Sequence, residues 1–147
     1  MPQPPQIKNM ELSNLVLPKS VVLDNGVLLH IIEGGKRDVL RIDILFRGGY
    51  AVQTLPLQAM FTNRMLREGT SDYSAVEISR NLDYYGAWMD IYSSQGYNHL
   101  TMYAMCRYAE PLLDMIESMV KRPQFRKSNL STLRNNGKSF YKINSHK

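Results

Sequence analysis

The chain has 147 residues, 44% of them apolar, which suits one domain with a real core. Its net charge of +5 is unevenly spread: residues 1–117 carry all 13 acids and ten bases, and residues 118–147 carry eight bases and no acid. A single cysteine, Cys106, excludes an internal disulfide framework or a Cys-rich zinc module, and no apolar run approaches the roughly 20 residues of a membrane helix.

Residues 1–18 are rich in Pro and Gln and read as an extended arm. The opening Met-Pro-Gln-Pro-Pro-Gln has neither a basic nor an apolar segment of a signal peptide, so a cytoplasmic protein is expected, with periplasmic and mitochondrial addresses left open. Asn25-Gly26 then separates two β-rich runs, and that dipeptide suits a type I′ hairpin turn. After a turn at Gly34-Gly35, residues 39–47 alternate: Leu40, Ile42, Ile44 and Phe46 share one face, Arg41, Asp43 and Arg47 the other. Such alternation marks a sheet covered on one side.

Gly48-Gly49 ends this strand, and a helix is predicted over 55–68 with Pro56 in its first turn. Its apolar stripe is Leu57, Met60, Phe61 and Met65. Ser74-Ala75-Val76-Glu77 has the form of a capping box, opening a second helix that Gly86 stops. Strands follow at 87–93 and 98–106, the latter with Leu100, Met102, Ala104 and Cys106 in step. Pro111 begins a third helix with Leu112, Met115, Ile116 and Met119 at helical spacing. Residues 126–142 read as a weaker basic helix interrupted by Gly137. The order implies an α+β fold, a mostly antiparallel sheet with helices packed on one face.

Several strings, in order, resemble the first domain of the pitrilysin/insulinase-type zinc metallopeptidases, which include the mitochondrial processing peptidases. They are Leu23-Asp24-Asn25-Gly26, the strand end Gly48-Gly49, Gly69-Thr70, the helix start Ser74-Ala75-Val76-Glu77, and the stop Arg122-Pro123-Gln124-Phe125. The match runs without gaps over about residues 20–143. The resemblance implies the N-terminal portion of a LuxS/MPP-like metallohydrolase domain over residues 19–147, a piece of a longer protein, since such enzymes are built from two or four complete domains.

The same resemblance puts the zinc chemistry in question. Where the family has Ala-His-Phe-Leu-Glu-His-Met-Leu, this chain has Ala59-Met60-Phe61-Thr62-Asn63-Arg64-Met65-Leu66. Met60 and Arg64 then stand at the two zinc-binding histidines, Asn63 at the general base, and Phe140 at the third ligand. Hydrolytic zinc needs three N or O ligands and an open position for water. A thioether is a poor zinc ligand, a phenyl ring is none, a guanidinium repels the cation, and an amide is no general base. Residues 52–70 contain no histidine, so a shifted register restores nothing. No zinc or other cofactor is expected, and no catalytic residue is assigned.

Three readings of Arg64 stay open: an ion-pair partner filling the vacant metal pocket, a plain surface arginine, or, with Asn63, a holder of a peptide carbonyl or carboxylate. His30 and His99 read as ordinary strand histidines, His146 lies in a terminal string, and Cys106 reads as a small buried hydrophobe. The aromatics Tyr84, Tyr85, Trp88 and Tyr92 are mostly accounted for by packing, with a peptide-binding edge as the functional reading. The basic tail reads as a solvated face or an acidic partner's docking site rather than a nucleic-acid site, and it replaces an often Glu-rich stretch of the family.

The resemblance therefore implies a non-catalytic subunit that pairs with a catalytic homologue, or with itself, to enclose peptides, with no nucleic-acid or membrane partner. Two alternatives remain: an active zinc metalloendopeptidase whose metal site another domain supplies, and a stand-alone peptide-binding module.

Overall fold

The computed structural model describes residues 16–35 and 37–144, and side chains as far as residue 137. Most of the predicted N-terminal arm, His146 and the Phe140 side chain lie outside the described residues. The chain divides into two units that meet between Arg37 and Asp38.

The first unit is the expected hairpin, β1 (Lys19–Val22) paired antiparallel with β2 (Leu28–Ile31). Its turn differs from the predicted type I′. Leu23 pairs with Val27 (N···O 2.9 Å), Gly26 N–H donates to Leu23 O at 2.8 Å, and Asn25 has negative φ while Gly26 has φ 80°. This is the three-residue loop in which only the last residue is left-handed. Asn25 instead accepts the Val27 N–H through Oδ1 at 3.1 Å, a local use of its side chain that competes with the left-handed backbone.

The second unit holds a three-stranded antiparallel sheet in the order β3 (Val39–Arg47), β5 (Tyr97–Met105), β4 (Trp88–Ser93). Alternation sorts its side chains as predicted. Ile42, Ile44, Met89, Ile91, Leu100, Met102 and Ala104 meet Ile78 and Leu82 of α2 (Ala75–Tyr85) and Leu112, Met115, Ile116 and Met119 of α3 (Ala109–Lys121) in one core. Burying each large apolar side chain contributes roughly 1.5–3 kcal/mol. The α+β class and the one-sided helical layer are thus as the sequence implies. The opposite face carries the Arg41–Asp43 ion pair (2.7 Å), Thr101 donating to Asp43 at 2.7 Å, and Tyr92 stacked on His99. Burial works to raise the Asp43 carboxyl, but its bonds from Arg41 and Thr101 outweigh that and hold it below the usual range.

The helix boundaries follow their signals unevenly. Ser74 and Glu77 form the capping box at α2, and Gly86 ends it in the left-handed region. The 55–68 helix is shorter than predicted: α1 spans Gln58–Met65, and Leu57 precedes it at φ 66°. Its start is set by Gln58, whose Oε1 accepts Thr54 and Leu55 N–H groups and the Thr54 hydroxyl. The predicted stripe is corrected as well. Leu57 is exposed, Met60 and Phe61 are half-buried, and Ala59, Asn63 and Met65 are buried.

Cys106 also departs from expectation. β5 ends at Met105, and a 3₁₀ turn over Cys106–Tyr108 breaks the alternation, leaving the thiol exposed. Asp38 beside it, together with partial desolvation, pushes the thiol up, so it is a poorer nucleophile than an ordinary cysteine. Tyr84, Trp88 and Tyr92 are exposed, but they pack on aromatic neighbours, Tyr84 on Tyr85, Trp88 on Tyr103 and Tyr92 on His99, the last two across the sheet face as packing implies.

A polar knot ties the Gly69-Thr70 turn to α3. Thr70 Oγ1 accepts the Asp72 and Tyr73 N–H groups and lies 2.8 Å from Ser118 Oγ, which lies 2.6 Å from Asp72 Oδ2. Ser118 has one proton, and the carboxylate takes it, so Thr70 donates to Ser118. Arg122 closes the knot on Asp72 at 2.7 Å. The Ser118 hydroxyl and then Arg122 hold the Asp72 carboxyl below its usual range.

The basic helix α4 (Lys127–Asn144) is continuous through Gly137, against the predicted interruption. A methyl group at Gly137 would meet no atom within 4 Å, and its φ is not left-handed. Gly137→Ala is therefore expected to stabilise the protein by about 0.5–1 kcal/mol, through a less flexible unfolded chain and better helix propensity. Urea unfolding measures it; an unchanged or lowered midpoint contradicts the expectation.

Candidate functional site

Of the residues singled out by the resemblance, Met60, Asn63 and Arg64 sit on α1, which packs on β4 and β5. Their environments differ sharply. Met60 is half-buried, Asn63 is 2% exposed, and Arg64 is exposed. Asn63 Nδ2 donates to Tyr92 O at 2.7 Å and to His99 O at 3.3 Å.

The register explains that pair of acceptors. The Ser94 N–H donates to Tyr97 O at 2.8 Å, closing the β4–β5 turn. Hydrogen-bonded and non-hydrogen-bonded pairs alternate along an antiparallel ladder. Tyr92 and His99 are directly opposed, two residues further on each side, so they form a hydrogen-bonded pair with both carbonyls between the strands. Asn63 caps those two carbonyls from the helical side. Its own Oδ1 is buried without a partner among the described residues. The same phase turns the backbone of Met89, Ile91 and Ser93 outward, to the open edge of the sheet.

Beneath that edge lies a cavity of about 370 Å³, lined by Arg64, Arg67 and Glu68 at the end of α1, Ile78 and Ser79 of α2, Asp90 and Ile91 of β4, and Leu133 of α4. Arg67 Nη1 reaches the outward Met89 O at 3.4 Å. Among the described residues, neither Arg64 nor Arg67 makes an ion pair. Of the three readings of Arg64, the ion-pair partner is thus not what the structure places there, and an arginine at a cavity mouth is. Arg67 was missed in the sequence: it follows the end of α1 in a turn, where its N–H donates to Arg64 O at 3.2 Å and sets it beside Arg64 at the cavity.

The remaining candidates are accounted for locally. His99 stacks on Tyr92 at 4.4 Å, with Nε2 3.0 Å from Ser94 Oγ, and His30 Nδ1 lies 2.8 Å from Ser20 Oγ. Both are strand histidines with strand partners. Among the described residues, no three His, Cys, Asp or Glu side chains are grouped to hold a metal ion. The α1 donor set does not fit zinc: an amide turned onto the sheet, a half-buried thioether and a free guanidinium supply no suitable ligand.

With this geometry in hand, solved structures place the fold. The inactive domain of an M16 peptidase from Pseudomonas fluorescens superposes with a TM-score of 0.76 at 19% identity, covering 81% of this chain and 30% of that one. A protease from Helicobacter pylori superposes at 0.71 and 15% identity, covering 78% of this chain and 28% of that one. The fold is that of M16 peptidase domains. The chain spans less than a third of the length of either structure. No protein-family model matches the sequence, and no curated protein does. Among the described residues no helix is long and apolar enough to cross a membrane.

Proposed function

We propose that this chain is a non-catalytic pitrilysin/insulinase-like subunit that pairs with a catalytic homologue to enclose peptide substrates. The observation that carries the reading is Asn63. At the position of the family's general base, it is buried and spends its amide on the Tyr92 and His99 carbonyls. A side chain committed to holding helix against sheet is not available to activate water. Arg64, at a zinc-ligand position, adds positive charge at a cavity mouth where a metalloenzyme needs a cation. That the Pseudomonas fluorescens neighbour is itself an inactive domain adds support. The open edge of β4 supplies a surface for an extended peptide, by the strand-addition mode of recognition.

Elemental analysis of the purified protein tests the reading. No stoichiometric zinc is expected, and about one zinc per chain, on the ligand count of a hydrolytic site, would overturn it in favour of a metallopeptidase. Mixing with a homologue that retains His-x-x-Glu-His is expected to give a heterodimer with peptidase activity that neither chain has alone. Peptide binding that never depends on such a partner would favour the stand-alone module instead.

A further inference from the structure

We propose that the cavity under the edge of β4 is a carboxylate pocket that reads one acidic side chain of a peptide lying along that edge. The inference rests on the peptide-enclosing reading above and adds a specificity to it.

The edge itself defines where a guest residue points. β4 is the outer strand, and among the described residues the outward N–H and C=O of Ile91 have no partner. A guest strand bonded to Ile91 places the directly opposite residue on the same face of the sheet as Ile91. Ile91 belongs to the helical side, where it packs against the core and lines the cavity. The opposite guest side chain therefore projects towards that cavity and not towards the aromatic face.

The chemistry at the cavity favours an anion. Arg64, near the end of α1, and Arg67, in the turn that follows it, both line its wall without an ion pair among the described residues. Two acids line it as well. Asp90 is opposite Thr101, whose hydroxyl donates to Asp43 on the far face, so strand alternation sends the Asp90 carboxylate there too. Glu68 is shared with a neighbouring cavity formed around Gly69, Thr70 and Tyr73. The Ser79 hydroxyl adds a neutral donor. At about 370 Å³ the space accommodates a Glu side chain with water. Two guanidiniums present the forked donors that a planar carboxylate accepts in pairs.

Two terminally blocked, fluorescently labelled ten-residue peptides of β-prone sequence test this, one with a central Glu and one with Gln in its place. With the full chain at low salt, the Glu peptide is expected to bind about tenfold more tightly, the size of one charge-assisted pair. Arg64→Gln, at an exposed residue with no ion pair among the described residues, is expected to remove most of that preference. Arg67→Gln provides the second variant, with circular dichroism confirming that each is folded. Equal binding of both peptides by the parent protein would overturn the carboxylate pocket while leaving the peptide-enclosing reading standing. Binding of neither would overturn the carboxylate pocket alone, because the peptide-enclosing reading is decided by the mixing experiment with a catalytic homologue. A Glu preference that survives in both variants would place the anion site elsewhere and overturn this assignment. Blocked termini ensure that the carboxylate read is the side chain's, and a Gln peptide with a free C-terminus gaining the same tenfold would instead assign the pocket to a chain end.

Discussion

Replacing Asn63 with aspartate is expected to destabilise the protein by about 3 kcal/mol at neutral pH, and the loss is expected to shrink as the pH falls. The two side chains have nearly the same shape, so packing is kept and only the chemistry changes. Asn63 is 2% exposed and donates through Nδ2 to Tyr92 O at 2.7 Å and His99 O at 3.3 Å. An aspartate carboxylate has no proton to offer and would face two carbonyl oxygens in a dry site. Burial and those oxygens both disfavour its charged form, which raises its folded-state pKa above the unfolded value. A carboxyl raised in this way destabilises above its folded pKa. The penalty is relieved as pH falls through that pKa, where the protonated group can again donate to Tyr92 O. Urea unfolding at pH 7.5 and pH 5 reads both effects. A variant as stable as the parent at pH 7.5 would show that the amide does not hold α1 on the sheet. The result bears on the proposed function too, because it measures how far the surroundings of residue 63 oppose a carboxylate.

Gly49→Ala is the second large effect, expected to cost about 2–3 kcal/mol and to lower the Tm by about 10 °C. Glycine here owes nothing to unusual backbone angles, since Gly49 has φ −68°. The constraint is its surroundings. A Cβ would fall 2.6 Å from Tyr97 N and 2.7 Å from Gln95 O, and would press still closer on Ser94 O. All three are backbone atoms of the β4–β5 turn, so no side-chain rotation relieves the clash. Gly48, Tyr50 and Ala51 donate their N–H groups to Gly96, Ser94 and Gln95 O, binding the loop flat against that turn. The methyl must break these bonds or displace the turn that sets the phase of the β4 edge. Thermal unfolding followed by circular dichroism measures the loss. A Tm within two or three degrees of the parent would mean that the loop lifts off freely.

The elements that the sequence disclosed are those whose signals are local. Alternation in 39–47 and the capping box at Ser74 each depend on residues a few positions apart, and each appears in the structure as read. The misreadings have non-local or competing causes. The helix over 55–68 loses its first turn because Gln58 gathers the Thr54 and Leu55 donors. Cys106 keeps the parity of β5 in sequence but lies past its end, where a 3₁₀ turn begins. Asn25-Gly26 forms a hairpin of a different loop type because the Asn25 side chain finds a backbone partner.

The opening numbers bear on the site in the same divided way. The excess of bases over residues 118–147 belongs largely to α3's end and α4, where Lys121 pairs with Glu117 and Arg122 with Asp72. The two arginines at the cavity, Arg64 and Arg67, come from the part of the chain with net negative charge. Regional charge did not point to them, because a cavity's charge depends on which few side chains converge there.

By itself, then, the amino-acid sequence determined the α+β class, the capping box that opens α2 and the inward face of α3. These follow from periodicity and from side-chain chemistry, which need no knowledge of distant contacts. Only the tertiary structure decided that Asn63 is built into the sheet, that Gly49 is pinned by a turn more than forty residues away, and that Arg67 joins Arg64 beside an open strand edge. Each of those depends on the register between β4 and β5 or on how α1 approaches the sheet. Register and approach are settled by the packing of the whole domain, not by any segment of it.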